Sequence, residues 1–193
     1  NALGEQCFVQ VMEFMRVMDT NRDFYWWGQK LMAEETKELN EALETAEEDP
    51  GQVFKELADL TYVTLGFSCC LPGNPHLLMT EERNEELQLI SNAANEAVNR
   101  ACQMLRIPVP LVEKAVAIVH ASNMTKLDPE TGLPDRREDG KILKGPHYVA
   151  PDMSGLVEEW KQFLANVEAE AAADETQEPP VKEANSLGTQ TAQ

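Results

Sequence analysis

Basic residues are scarce in this chain: 16 Lys and Arg stand against 34 Asp and Glu in 193 residues, a formal charge of −18. That balance repels phosphate backbones and anionic lipid, which argues against nucleic acid or a membrane surface as partner. A small nucleotide carried with a divalent cation stays open, because the metal changes the local charge. Long apolar runs are missing too, and no stretch approaches the length a membrane span needs. The opening residues "NALGEQCFVQVMEFMRVMD" alternate apolar and charged side chains, unlike a secretory signal. They lack an initiator Met, as expected where a few leading residues are missing or processed. Cysteines number four, Cys7, Cys69, Cys70 and Cys102, at no zinc spacing. This predicts a reduced, cytoplasmic protein with buried thiols. The common phosphate-binding loops, G-x-x-x-x-G-K-[ST] and G-x-G-x-x-G, are absent. So are a G-x-S-x-G elbow and a Cys–His pairing fit for nucleophilic catalysis.

What the chain does contain is helix pattern. A hydrophobic content of 42% and this length suit one domain with a sizeable core. Five helical segments are expected before residue 128. The first runs from Gly4 to Met18, with Phe8, Val11, Met12 and Met15 on one side. The second runs from Tyr25 to Glu47 and buries Met32, Leu39, Leu43 and Ala46. Pro50 opens a third, apolar almost all round after Asp59 and therefore central. "LPGNPH" then reads as a loop, and a fourth helix spans Thr80 to Leu105 with Thr80 as its cap. "LVEKAVAIVHASNMTKL" makes a fifth. Residues 128–152 change character, and Asp139-Gly140 signals a short hairpin. A last amphipathic helix follows. From Asp174 the chain has almost nothing to bury and should be disordered, which sets the expected division at 1–173 and 174–193.

The chemistry lies in "AEETKELNEALETAEEDPGQVFKELAD". Glu34, Glu35 and Glu38 fall within about 100° of helical arc, with Glu35 close to the apolar stripe of Leu31, Leu39 and Ala42. Glu56 shares a flank with Leu60, Val63 and Phe67, and Asp59 opens the apolar stretch. An antiparallel pairing of the second and third helices brings both acidic turns together, partly out of water. Buried carboxylates need compensation, and few Lys or Arg nearby provide it. A hard divalent cation with oxygen ligands does, and Mg²⁺ prefers carboxylates, waters and substrate phosphates. A solvated acidic face is the plainer alternative. The E-E-x-x-E spacing recurs at Glu81, Glu82 and Glu85, but no E-x-x-D follows it. That copy reads as a solvated helix start, where acids favour the dipole.

E-E-x-x-E at 34–38, seventeen intervening residues, then E-x-x-D at 56–59 resembles the signature of the MazG-like all-α nucleoside triphosphate pyrophosphohydrolases. "VHASNMTKL" followed by "REDGKILKGPHYVAPD" is similar to the C-terminal part of their phosphoribosyl-ATP pyrophosphohydrolase-like branch. The resemblance covers roughly residues 8–156. It implies an all-α helical bundle that splits a (deoxy)nucleoside triphosphate between the α- and β-phosphates, in nucleotide-pool control. It also implies Mg²⁺, with Mn²⁺ able to substitute, held by Glu35, Glu38, Glu56 and Asp59. Glu34 would bind a further metal or take the proton from the attacking water. A homodimer or homotetramer is expected, since helices acidic on one side and apolar on another seldom complete a core alone.

On the same resemblance Asn123 and Lys126, one turn apart on the fifth helix, bind the triphosphate. A helix C-terminus favouring Lys is the alternative. Lys141 and Lys144 either cover the phosphates or charge an exposed hairpin strand. Tyr148 and Asp152 are weaker candidates. Trp27 and Phe24 either contact the base or belong to the core, and Gln29 is a further candidate for hydrogen-bonding the base. His76, His120 and His147 lack a partner at ligand spacing and read as structural. Two rival functions remain: phosphoribosyl-ATP pyrophosphohydrolase, and a non-catalytic helical adaptor, against which intact acids at all five positions argue.

Overall fold

The computed structural model describes residues 4–71 and 79–175. The chain divides into two compact units, residues 1–160 and 161–193. The described part of the second unit, 161–175, is helical throughout. Everything below concerns the first.

Helix α1 (Glu5–Val17) buries Cys7, Val11, Phe14 and Met15. Phe8 and Met12, expected on the inner face, are 40% and 50% exposed. One residue step turns a helix by about 100°, so a stripe through 7, 11, 14 and 18 leaves 8 and 12 outside. Asp23 caps the next helical stretch, its carboxylate accepting from the backbone of Tyr25 and Trp26. That stretch is α2 (Phe24–Trp26), a π-helical segment (Trp27–Met32) and α3 (Ala33–Glu44), without a break. Ala33 N–H reaches back to Gly28 C=O, five residues away. Sequence periodicity carries no mark of that insertion.

Asp49 accepts from Gln52 N–H to cap α4 (Pro50–Cys70), with Pro50 in its first turn. This helix packs on α1, α3, the π-helical segment, α5 and α6, so it is central as its composition predicts. Thr80 caps α5 (Glu81–Met104) through Arg83 N–H. Pro108 precedes α6 (Val109–Met124). Helix α7 (Ser154–Glu175) includes Asp174 and Glu175, which were expected in the tail. The remainder of that tail, and Pro72–His76 of the expected loop, lie outside the described residues. The chain is an all-α helical bundle: among the described residues no sheet forms, and β-pairing is limited to two isolated bridges, Leu127↔Pro134 and Arg136↔Ile142. The hairpin is therefore one bridge long. Its turn does form at Asp139-Gly140, with Gly140 at φ 89° and Gly140 N–H on Arg137 C=O at 2.9 Å. Among the described residues no helix is long and apolar enough to cross a membrane.

The long connection between α6 and α7 is pinned at both ends. Ser122 Oγ donates to Val149 C=O at 2.6 Å, and Val149 N–H donates to Thr125 Oγ1 at 2.8 Å. The Arg136 guanidinium donates to the carbonyls of Met18 and Asp19. Positive charge is favoured there, at the carbonyl end of α1. These ties hold the 137–142 turn beside α3.

Candidate functional site

Helices α3 and α4 pack side by side, and their acidic turns meet. One carboxylate oxygen each from Glu35, Glu38 and Glu56 lies within 4.8 Å of the other two. Asp59 joins Glu35 in lining a neighbouring cavity. Glu56 is 3% exposed. Its Oε1 accepts from Gln52 Nε2 at 2.5 Å and from Lys55 Nζ at 2.7 Å. Its Oε2 is buried with no hydrogen-bond partner. A buried acceptor left unpaired costs about 1–3 kcal/mol, and more when charged, so this oxygen is suited to a cation.

The expectation that few basic groups lie near is corrected by Lys55. Its ammonium bridges Glu56 and Asp59, the latter at 3.1 Å. Burial pulls the Lys55 ammonium down, but Asp59 and Glu56 together outweigh it and hold the group above its usual range. One ammonium does not neutralise four acids. Burial, and then the charges of Asp59, Glu38 and Glu56, push the Glu35 carboxyl up to about 8 against the opposing pull of Lys55. Burial likewise raises Glu56, again against Lys55. All the converging donors are carboxylate oxygens, the set a hard divalent cation such as Mg²⁺ prefers.

Opposite the acids stand Asn123 and Lys126. Asn123 is buried in the last turn of α6, but Lys126 lies beyond the helix, which ends at Met124. The two were expected on one helix. Thr125 stops it: its hydroxyl donates to Ser122 C=O and accepts Val149 N–H, joining the helix end to the connection. Lys126 stays beside Asn123 through its own N–H on Asn123 C=O, 3.1 Å, and lines the cavity with it. Burial lowers the Lys126 ammonium, and Lys144 and Lys141 add to this while Asp59 and Glu35 oppose it. Lys141 also lines the cavity, and its Nζ pairs with Glu34 at 2.6 Å. Glu34 is thus held on the exposed side of α3, apart from the converged oxygens. Lys144 is exposed, its ammonium 5.1 Å from the Tyr148 ring centre. Asp152 accepts Ser154 N–H at the start of α7.

The cavity's other end is aromatic, with Phe14, Trp26, Trp27 and Tyr62. Trp27 is buried, donates Nε1–H to Asn21 C=O at 2.6 Å and lies so close over Gly66 that a methyl there overlaps its ring. Trp26 Nε1 and Thr20 Oγ1, both in the cavity lining, are buried without a partner. Sequence reasoning missed these two. The pair "WW" was visible, but which indole keeps a free N–H depends on where Asn21 C=O falls. Phe24 starts α2 outside the lining residues, and Gln29 faces α5, donating to Glu86 at 3.2 Å. In the second acidic run, Glu81, Glu82 and Glu85 are exposed as expected of a solvated helix start. His120 does have partners, Tyr62 and Glu13, and Cys7 is buried while Cys69, Cys70 and Cys102 are half-buried, all free.

No family model, no curated protein and no solved structure matches the chain.

Proposed function

We propose that this protein is a Mg²⁺-dependent nucleoside triphosphate pyrophosphohydrolase, releasing a (deoxy)nucleoside monophosphate and pyrophosphate. The observation that carries the proposal is the convergence of Glu35, Glu38 and Glu56 oxygens around a buried, unpartnered Glu56 Oε2, with lysines across the cavity. Glu35, Glu38, Glu56 and Asp59 are the residues that would hold Mg²⁺, or Mn²⁺ in its place. A bound divalent cation there screens phosphate charge and acidifies the attacking water. Asn123, Lys126 and Lys141 receive the phosphates, and Lys144 is near enough to add its charge. Glu34, presented beside Lys141, takes the proton as water attacks phosphorus. The bond between that phosphorus and the α–β bridging oxygen breaks, and the bridging oxygen leaves with the other product. Most of the catalysis is positioning and charge stabilisation, as in other phosphoryl chemistry. The aromatic end accepts the base, with Trp26 rather than Trp27 keeping an N–H to offer.

The test is ³¹P NMR of the products from a panel of ribo- and deoxynucleoside triphosphates and phosphoribosyl-ATP. Equal amounts of monophosphate and pyrophosphate are expected from at least one member. Diphosphate with orthophosphate, or no turnover of any member with Mg²⁺ or Mn²⁺, overturns the proposal.

A further inference from the structure

Tyr62 and Asn123 line the cavity, and behind them runs a chain of polar contacts that the site above does not use. The Tyr62 hydroxyl lies 2.9 Å from His120 Nδ1, and the two rings stack with centres 6.1 Å apart and planes at 26°. His120 Nε2 lies 3.3 Å from Glu13 Oε2 on α1. Asn123 hydrogen-bonds the Tyr62 oxygen.

Donor rules settle the direction of every link. An ionised carboxylate only accepts, so His120 carries its proton on Nε2 toward Glu13. The neutral imidazole then has Nδ1 as acceptor, and Tyr62 donates its O–H to it. With its only hydrogen committed, the Tyr62 oxygen can only accept, and Asn123 must supply an N–H. This fixes an amide orientation that is otherwise ambiguous between oxygen and nitrogen. Asn123 keeps one N–H and its carbonyl oxygen. Of these, only the N–H attracts an anionic phosphoryl oxygen.

We infer that Glu13, His120 and Tyr62 are positioning residues: they orient the Asn123 amide as a donor for a phosphoryl or pyrophosphoryl group in the cavity. The ligand class rests on the function proposed above; the hydrogen-bond chain does not. Free to turn over, Asn123 offers phosphate a carbonyl as often as an amide hydrogen.

The experiment has two arms. In the metal-free protein, ¹⁵N NMR reads the His120 tautomer and solvent exchange of the Asn123 amide protons. The expected result is an Nε2–H tautomer and one protected Asn123 proton, with protection lost in Tyr62→Phe. In Mg²⁺ buffer, calorimetric titration with inorganic pyrophosphate reads the consequence. Tyr62→Phe and His120→Ala should each weaken binding about tenfold, the scale of one hydrogen bond to a charged group. His120→Asn, which can present an acceptor where Nδ1 lies, should recover most of that loss. Tyr62→Phe combined with Asn123→Ala should be no weaker than Asn123→Ala alone. An Nδ1–H tautomer, Asn123 exchange indifferent to Tyr62→Phe, or losses that multiply in the double variant each overturn the inference. Wild type that shows the expected tautomer and protection but binds no pyrophosphate leaves the chain standing and removes the phosphate ligand, and with it the proposed function.

Discussion

At the scale of single residues, Glu35 has the most to gain from a cation and the most to lose without one. Its carboxyl is held up to about 8 by burial and by Asp59, Glu38 and Glu56, against an ordinary value of 4.5 in that item. The folded state therefore binds a proton that the unfolded chain releases between these two values. Stability from this group is fully present below 4.5 and is lost as pH rises through 8. Glu56 is shifted in the same direction and adds to the trend. In EDTA, wild type should lose stability steadily from pH 5 to about pH 8, and Glu35→Gln should flatten most of that fall. Denaturant melts at four pH values measure it. Parallel curves for the two proteins would place Glu35 in a solvated setting rather than a shared acidic one. Lys55 sits beside this group, and its part was readable in principle, because it stands four residues before Asp59 on one helix. It was overlooked because i,i+4 pairs are usually surface pairs worth little, whereas this ammonium also reaches buried Glu56.

The element that departs furthest from its sequence pattern is the helical run from Phe24 to Glu44, with its π-helical middle at Trp27–Met32. Such segments are uncommon and often found at functional sites. Here the segment carries buried Trp27 against α4, where Gly66 leaves room for the indole. A methyl at 66 meets a rigid ring, so Gly66→Ala should cost about 1–3 kcal/mol from overpacking. For a chain of this size each kcal/mol lowers Tm by about 2–4 °C. Combining Gly66→Ala with Trp27→Leu should cost less than the sum of the two, since the second change removes the clash. A neutral Gly66→Ala would mean that the Trp27 ring is not seated there. Helix identities and the central place of α4 were legible because caps such as Thr80 and Asp49 and apolar periodicity are local signals. The buried face of α1 was misjudged by one step, as 8 and 12 match the spacing of 7 and 11 and nothing local breaks the tie. The π-helical segment, the End of α6 at Thr125 and the His120 contacts depend on partners far along the chain. No residue pattern within one helix announces them. The acidic motif was legible as a motif, but the orphaned Glu56 oxygen and the free Trp26 N–H are properties of packing.

Across the whole molecule, charge sets the balance. A chain at −18 already repels itself, and the fold adds to this by drawing Glu35, Glu38, Glu56 and Asp59 together around a single local Lys55. Removing one of these charges while keeping shape should leave the metal-free fold as stable as before or more so, even where function is lost. Glu38→Gln is the cleaner case, since Asp59→Asn also weakens the contact with Lys55. A cation that binds only the folded state stabilises it by mass action, about 2.7 kcal/mol at a hundred times Kd for one site. Wild type should gain that much from Mg²⁺, and both amide variants should gain less. Part of any Mg²⁺ effect on so acidic a chain is plain screening. Melts in Mg²⁺ are therefore set against melts in NaCl of equal ionic strength, and only the difference is counted. If that difference is the same in wild type, Glu38→Gln and Asp59→Asn, the four carboxylates are a repulsive patch and not a metal site.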